Sequence, residues 1–268
     1  MKRLFVHAGY LFVCILFILP LWWALASSLR PLDDIFKYVS PFSWKAFVPD
    51  KITIFAQKVY GMAVLNSVFV AGTTVLLGLV INGLAGYAFA VLRFPGRNVL
   101  FFLIVLTFLV PFEAIAIPLY TVVRSIGWLD TYQGLIGPGV ANGIVIFLFR
   151  QFFAQIPREL AESARLEGAS WVTILFRIYL PLSKPVVISA ALLIFLFQWE
   201  SFLWPLIATR SENLKVIQVA LAGFEERYVT LWNELFAAAI VAALIPLIIL
   251  LPLQRFYVQG VTAAATKD

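Results

Sequence analysis

The sequence predicts an all-α membrane protein with six transmembrane helices, and three observations lead there. Of 268 residues, 62% are hydrophobic and 13% are charged, against about 45–50% and about 25% in an average soluble domain. Mean hydropathy is +0.96. Six stretches, each with at most one charge, reach the roughly 20 residues that an α-helix needs to cross a bilayer core. This balance excludes a secreted globular enzyme, a disordered regulator and a nucleic-acid-binding module. The net charge of +6 fits Lys and Arg held in loops on one side of a membrane, with no nucleic-acid partner. Cys14, the single cysteine, lies in an apolar run, which rules out a disulfide framework and a cysteine-rich metal site. His7, the single histidine, stands beside the basic N-terminus and reads as interfacial, so no metal ligand set is expected.

The spans follow in order. Residues 8–29 carry no charge, with Trp22 and Trp23 where an interfacial aromatic belt falls. Lys2 and Arg3 before this run, and Ala24-Leu25-Ala26 near its end, also fit a cleavable signal; the run exceeds the usual apolar core of about 7–15 residues, which favours a retained helix. The second span, 65–92, opens at Asn66 and Ser67, residue types suited to a helix entrance. Its Gly72, Gly78, Gly83, Ala85, Gly86 and Ala90 suit close helix packing. The third, 99–123, contains Pro111, Glu113 and Pro118, and the fourth, 131–150, is rich in glycine with Pro138 near its start. Span five, 185–207, is interrupted by Glu200, and span six covers 235–255. Pro111, Pro118, Pro205 and Pro246 suit helices that bend.

Loop charge sets the orientation. Arg93 and Arg97 lie between spans two and three with no acid, and Arg150, Arg158, Arg165, Arg177 and Lys184 follow span four. With six spans these share a side with Lys2, Arg3, Arg255 and Lys267, so both termini are expected in the cytoplasm. Two loops then face outward. Residues 30–64 hold Pro31, Pro41, Pro49 and scattered aromatics; residues 208–233 mix Glu212, Lys215, Glu225, Glu226 and Arg227 with Val216, Val219 and Leu221. Both read as ordered loops lying on the bilayer or a partner.

The cytoplasmic loop 150–184 is the most informative segment. Pro157 starts a helix, Glu159 and Glu162 follow early, and Gly168 ends it with a residue able to take positive φ. Ser170 caps a second helix, Trp171 to Tyr179, in which Trp171, Ile174, Leu175 and Ile178 recur at helical spacing; Leu180-Pro181 is expected to stop it. Too small for a core of its own, this pair must dock against another protein.

Glu162-Ser163-Ala164, then Gly168-Ala169, Trp171, Ile178 and Leu180-Pro181 at these spacings, resemble the "EAA" loop in the transmembrane subunits of binding-protein-dependent ATP-binding-cassette importers. Ser163 stands where that family prefers alanine, and Glu167 where this branch usually has aspartate. Gly86-Tyr87-Ala88-Phe89-Ala90, Arg93-Phe94-Pro95-Gly96-Arg97, Ile117-Pro118-Leu119-Tyr120, Gly127-Trp128-Leu129-Asp130-Thr131, Phe202-Leu203-Trp204-Pro205-Leu206 and the stretch from Gln254 to Gly260 resemble the carbohydrate-uptake branch, in particular the smaller permease of the maltose-transporter type. The resemblance implies a MetI-like permease fold in a bacterial or archaeal cytoplasmic (inner) membrane. It also implies a second homologous permease, two cytoplasmic ATPase subunits that bind ATP and Mg, an external solute-binding protein, and a sugar or oligosaccharide as cargo. Glycerol-phosphate, a polyol or a charged oligosaccharide is the alternative cargo.

GxxxxGK[ST] is absent, so no cofactor is expected on this chain, no catalytic residue is assigned, and energy is expected from the partner ATPase. Glu162 is then expected to pair with a basic residue of that ATPase, and Trp171, Ile174 and Ile178 to fill an apolar groove on it. Glu113 and Glu200 are the acids deepest within predicted spans, where ionisable groups are functional candidates. With Gln198, Trp199 and Trp204 they form a candidate substrate pathway, since aromatic faces beside polar groups suit sugar rings. Two readings stay open for each: pathway lining, or helix-end and packing residues. A stand-alone secondary carrier is the rival class, but the sequence lacks two evident inverted halves.

Overall fold

The computed structural model describes residues 2–30, 35, 58–224 and 232–265. The expected aromatic stretch within 31–57 and the charges Glu225, Glu226 and Arg227 lie outside the described residues. In chain order the helices are α1 (Lys2–Ser28), α2 (Lys58–Val91), α3 (Arg97–Thr107), α4 (Phe112–Ser125), α5 (Tyr132–Val140), α6 (Gly143–Phe153) and α7 (Arg158–Leu166). There follow α8 (Trp171–Ile174), a π turn Leu175–Tyr179, α9 (Leu180–Leu182), α10 (Lys184–Trp199), α11 (Leu203–Ala208), α12 (Ile217–Ala222) and α13 (Trp232–Ala265). The described residues form no strand, as the all-α reading expects.

Three helices, α1, α2 and α13, are long and apolar enough to cross a bilayer alone; three bent pairs bring the number to as many as six. The segment 99–123 is one of these pairs, with α3 and α4 meeting at 104°. Its cause is Pro111, which has no N–H and holds an extended backbone (φ −63°, ψ 142°) ahead of α4. Span four divides at Ala141–Asn142 with a 41° bend between α5 and α6. Span five ends its first helix at Trp199, and Glu200 to Phe202 separate it from α11.

α2 is the central post, packed against α5, α6, α10 and α12. A Cβ on Gly86 would lie 2.4 Å from Cβ of Phe149 and 3.1 Å from the backbone nitrogen of Arg150, so the missing side chain sets how closely α2 and α6 approach. This is the packing role expected of the span's small residues, although Gly72 meets nothing within 4 Å. α1 stands apart from the core: its side chains from Tyr10 to Leu19 are largely exposed, and it leans on α13. Trp23 meets Phe236 edge-on at 5.2 Å.

The helical start near Leu65 is corrected: α2 begins at Lys58, and Asn66 and Ser67 are buried within it. Their polar groups serve a distant segment instead. The Asn66 amide donates to the carbonyls of Asn213 (2.7 Å) and Lys215 (3.0 Å), and the Tyr132 hydroxyl donates to Asn66 Oδ1 (2.8 Å). Ser67 Oγ accepts from the Ile217 N–H at 2.7 Å, capping the first turn of α12 from outside. Asp130 adds a second clasp. Its carboxylate accepts from the N–H groups of Arg210 and Ser211, both at 2.9 Å, and from the Ser211 hydroxyl, which together hold its pKa below the ordinary aspartate value.

Candidate functional site

Two features lie at opposite ends of α10. Sixteen residues at 1.5 Å each make this helix about 24 Å long. The candidates of loop 150–184 gather at its start, and a cavity opens around its end.

At the start, α7, α8, the π turn and α9 form one continuous element. Gly168 adopts φ +85°, the left-handed conformation that lets the chain reverse between α7 and α8, and the Ala169 N–H closes the turn on the Ala164 carbonyl at 2.9 Å. Arg165 donates to the Ala169 carbonyl (2.7 Å) and lies 4.9 Å over the Trp171 ring. Ser170 Oγ accepts from the Thr173 N–H at 3.1 Å, as a cap should. The expected stop at Leu180-Pro181 is displaced: the helical path continues to Leu182 and turns by 89° into α10. A π turn precedes the proline, and the Leu180 N–H bonds the Leu175 carbonyl five residues back.

The second half of this element faces inward. Ile174, Leu175 and Tyr179 are 1–2% exposed, and Ile178 and Leu180 pack on the same core. The Tyr179 ring meets Tyr87 of α2 at 5.0 Å and Phe153 of α6 at 5.6 Å, and Phe149 stacks on Phe153 at 5.4 Å. The expectation that Ile174 and Ile178 meet a partner is therefore corrected: period alone does not say which side a stripe faces, and this one faces the chain's own α2 and α6. The outward surface carries Leu166 (91% exposed), Val172, Phe176 and part of Trp171, with Glu162, Ser163, Arg165, Glu167 and Pro181 exposed beside them and Ala164 half-buried.

At the far end, a cavity of about 560 Å³ is lined by Glu113, Gln198, Glu200 and Trp204, four of the five pathway candidates. Phe112, Phe197 and Phe202 add aromatic walls, and Asn142 and Ser201 add polar groups. Glu113 occupies the first turn of α4, just after the Pro111 break, and Glu200 is the residue that closes α10. Glu113 stands one residue into α4 and Glu200 just past the last residue of α10, so both project beside a backbone interruption, and both are exposed. The Trp204 indole N–H donates to the Gly134 carbonyl at 2.9 Å, and its buried ring packs against Phe112 and Val123 behind the cavity wall. Trp199 points away: it is 3% exposed, stacks on Phe195 at 5.5 Å and donates to the Ala242 carbonyl of α13 at 3.1 Å.

Asn82, which sequence reading passes over, holds the cavity's rear wall. Wholly buried on α2, it donates to the carbonyls of Gly78 (2.7 Å) and Val140 (2.8 Å), and its Oδ1 accepts from the Asn142 N–H at 2.8 Å. It thereby supplies partners to both sides of the α5–α6 break, where lipid offers none. A polar residue amid the small residues of an apolar helix was the available signal.

A multi-span helical protein with a surface-presented helical element locked to its core, and a polar cavity at the far end of the same helix, belongs to the class of transport permeases. Residues 75–262 match the family described as the binding-protein-dependent transport system inner membrane component, and the chain belongs to that family. It is accordingly a multi-pass inner-membrane permease. It is 29% identical over 272 residues to an arabinooligosaccharides transport system permease protein of Bacillus subtilis, covering 99% of this chain and 96% of the relative. To an sn-glycerol-3-phosphate transport system permease protein of Pectobacterium atrosepticum it is 36% identical over 207 residues, covering 75% of this chain and 72% of the relative. Its fold matches a chain from the crystal structure of a bacterial ABC transporter involved in import of the acidic polysaccharide alginate, with TM-score 0.79 and 24% identity over 96% of this chain and 97% of that one.

Proposed function

We propose that this chain is one of two membrane-spanning permeases in an ATP-driven importer of a sugar or oligosaccharide, and that it forms half of the solute pathway. A second homologous permease completes the pathway, two cytoplasmic ATPase subunits bind ATP and Mg, and an external binding protein delivers the solute. Both termini lie in the cytoplasm, on the side of the 158–182 element. The relatives that act on arabinooligosaccharides support this cargo class. The glycerol-phosphate relatives support a second reading, in which the same machinery carries a small phosphorylated polyol.

The observation that carries the proposal is the continuity between the two ends. Tyr179 is wedged among Tyr87 and Phe153, so the coupling element cannot tilt without moving α2, α6 and α10. α10 in turn carries Gln198 and Glu200 into the cavity. Closure of the ATPase dimer on the outward face of the element would move this body as a lever and switch the cavity between the two sides of the membrane. Glu162 lies on that face, where a basic residue of the ATPase is its partner. Gly168→Trp and Glu162→Ala are expected to abolish ATP-dependent uptake while leaving membrane insertion intact. Normal uptake in both variants would overturn the coupling role.

A further inference from the structure

The charges of the cavity are unequally matched. Glu113 and Glu200, when ionised, accept hydrogen bonds and donate none. Neither is paired with a cation among the described residues, and no Lys or Arg lines the cavity. The Gln198 amide N–H is directed to the Leu135 carbonyl at 3.4 Å, leaving its Oε1 as a further acceptor. Asn142 Oδ1 is taken by the Ile144 and Val145 N–H groups, which leaves its side-chain N–H groups and the Ser201 hydroxyl as neutral donors of the lining, and the Trp204 N–H is taken by Gly134. What remains is two carboxylates and a few neutral amide and hydroxyl groups beside aromatic faces, with no positive charge in the lining.

Resting on the reading of this cavity as the chain's share of the solute pathway, we infer that it selects neutral, hydroxyl-rich solutes and rejects phosphorylated or carboxylated ones. A neutral sugar suits both the carboxylates and the neutral polar groups. Each hydroxyl carries a donor hydrogen, vicinal hydroxyls span the two oxygens of one carboxylate, and the C–H face of the ring lies against Phe197 or Phe202, both exposed in the lining. A phosphate or uronate brings acceptors and negative charge to a place that already holds two carboxylates. There the surrounding protein weakens screening well below that of water, and like charges brought together are strongly disfavoured. The inference separates this chain's cargo from that of its glycerol-phosphate relatives while placing it beside the arabinooligosaccharide ones.

The test is solute binding to the purified, assembled complex without its binding protein, followed by saturation-transfer NMR. The probes are arabinotriose, sn-glycerol 3-phosphate and a trigalacturonate. Arabinotriose is expected to bind at least about ten-fold more tightly than either anion, and the double variant Glu113→Gln with Glu200→Gln to narrow that ratio to about three-fold or less. An anion that binds as tightly as arabinotriose to the unaltered complex, or a ratio unchanged in the double variant, overturns the inference. Failure of the underlying pathway reading looks different. Ser201→Trp fills the cavity, and ATP-driven uptake that survives it in a complex assembled normally by size exclusion overturns the pathway reading itself.

Discussion

Replacing Asn82 by leucine removes the side chain that bridges the α5–α6 break. The substitution leaves the Val140 carbonyl and the Asn142 N–H without the partners they have at 2.8 Å. Two backbone groups orphaned away from water cost about 1–3 kcal/mol each, so the loss is about 2–6 kcal/mol. An ordinary interhelical hydrogen bond in a membrane protein contributes about 0.6 kcal/mol, and this difference in size separates the two roles. Thr74→Val is the control, since the buried Thr74 hydroxyl donates only within its own helix, to the Val70 carbonyl at 2.8 Å; it is expected to cost under about 1 kcal/mol. Reversible denaturant unfolding of the assembled permease in mixed micelles provides the measurement. A cost for Asn82→Leu that matches Thr74→Val would refute the bridging role and leave Asn82 as one polar contact among many.

Gly86→Ala places a methyl group 2.4 Å from Cβ of Phe149 and is expected to cost about 1–3 kcal/mol by overpacking, whereas Gly72→Ala, with open space around it, should leave thermal stability unchanged. Trp199→Phe deletes the hydrogen bond to Ala242 and is expected to lower stability by about 1 kcal/mol, with solute preference unaltered in competition uptake because the ring faces away from the cavity. The clasp of Asp130 to Arg210 and Ser211 has a pH signature. Its pKa is lowered in the folded chain, so the stabilisation is present above the unfolded aspartate value and is lost as pH falls through the lower folded one. Limited proteolysis near 208–211 should therefore rise only at strongly acidic pH, and Asp130→Asn should abolish that dependence.

Apolar run length located the helices, because bilayer thickness imposes it on any chain that crosses. It did not reveal where they break. Pro111 was visible as a bend, but its 104° angle depends on how α4 packs against α11, which no local pattern encodes. Residue type placed Glu113, Gln198, Glu200 and Trp204 together, since charges and aromatics at span interruptions are scarce in lipid; Trp199, adjacent in sequence, turns to the opposite side of the helix. In the coupling element, Gly168 and Ser170 were legible as turn and cap. The facing of Ile174 and Ile178 was not, because an apolar stripe reads the same whether it meets its own core or another protein. Asn66 and Ser67 illustrate a third limit: a side chain suited to capping was assigned to the nearest helix, while its partner lies about 150 residues away.

The central claim, that this chain moves solute only as part of an ATP-driven assembly, is tested most directly by solute entry into proteoliposomes. Purified chain alone is compared with the chain assembled with its partner permease, ATPase subunits and binding protein. Accumulation in the assembled complex that requires ATP, with none by the chain alone, is the expected result; ATP-independent equilibration by the chain alone would contradict the account.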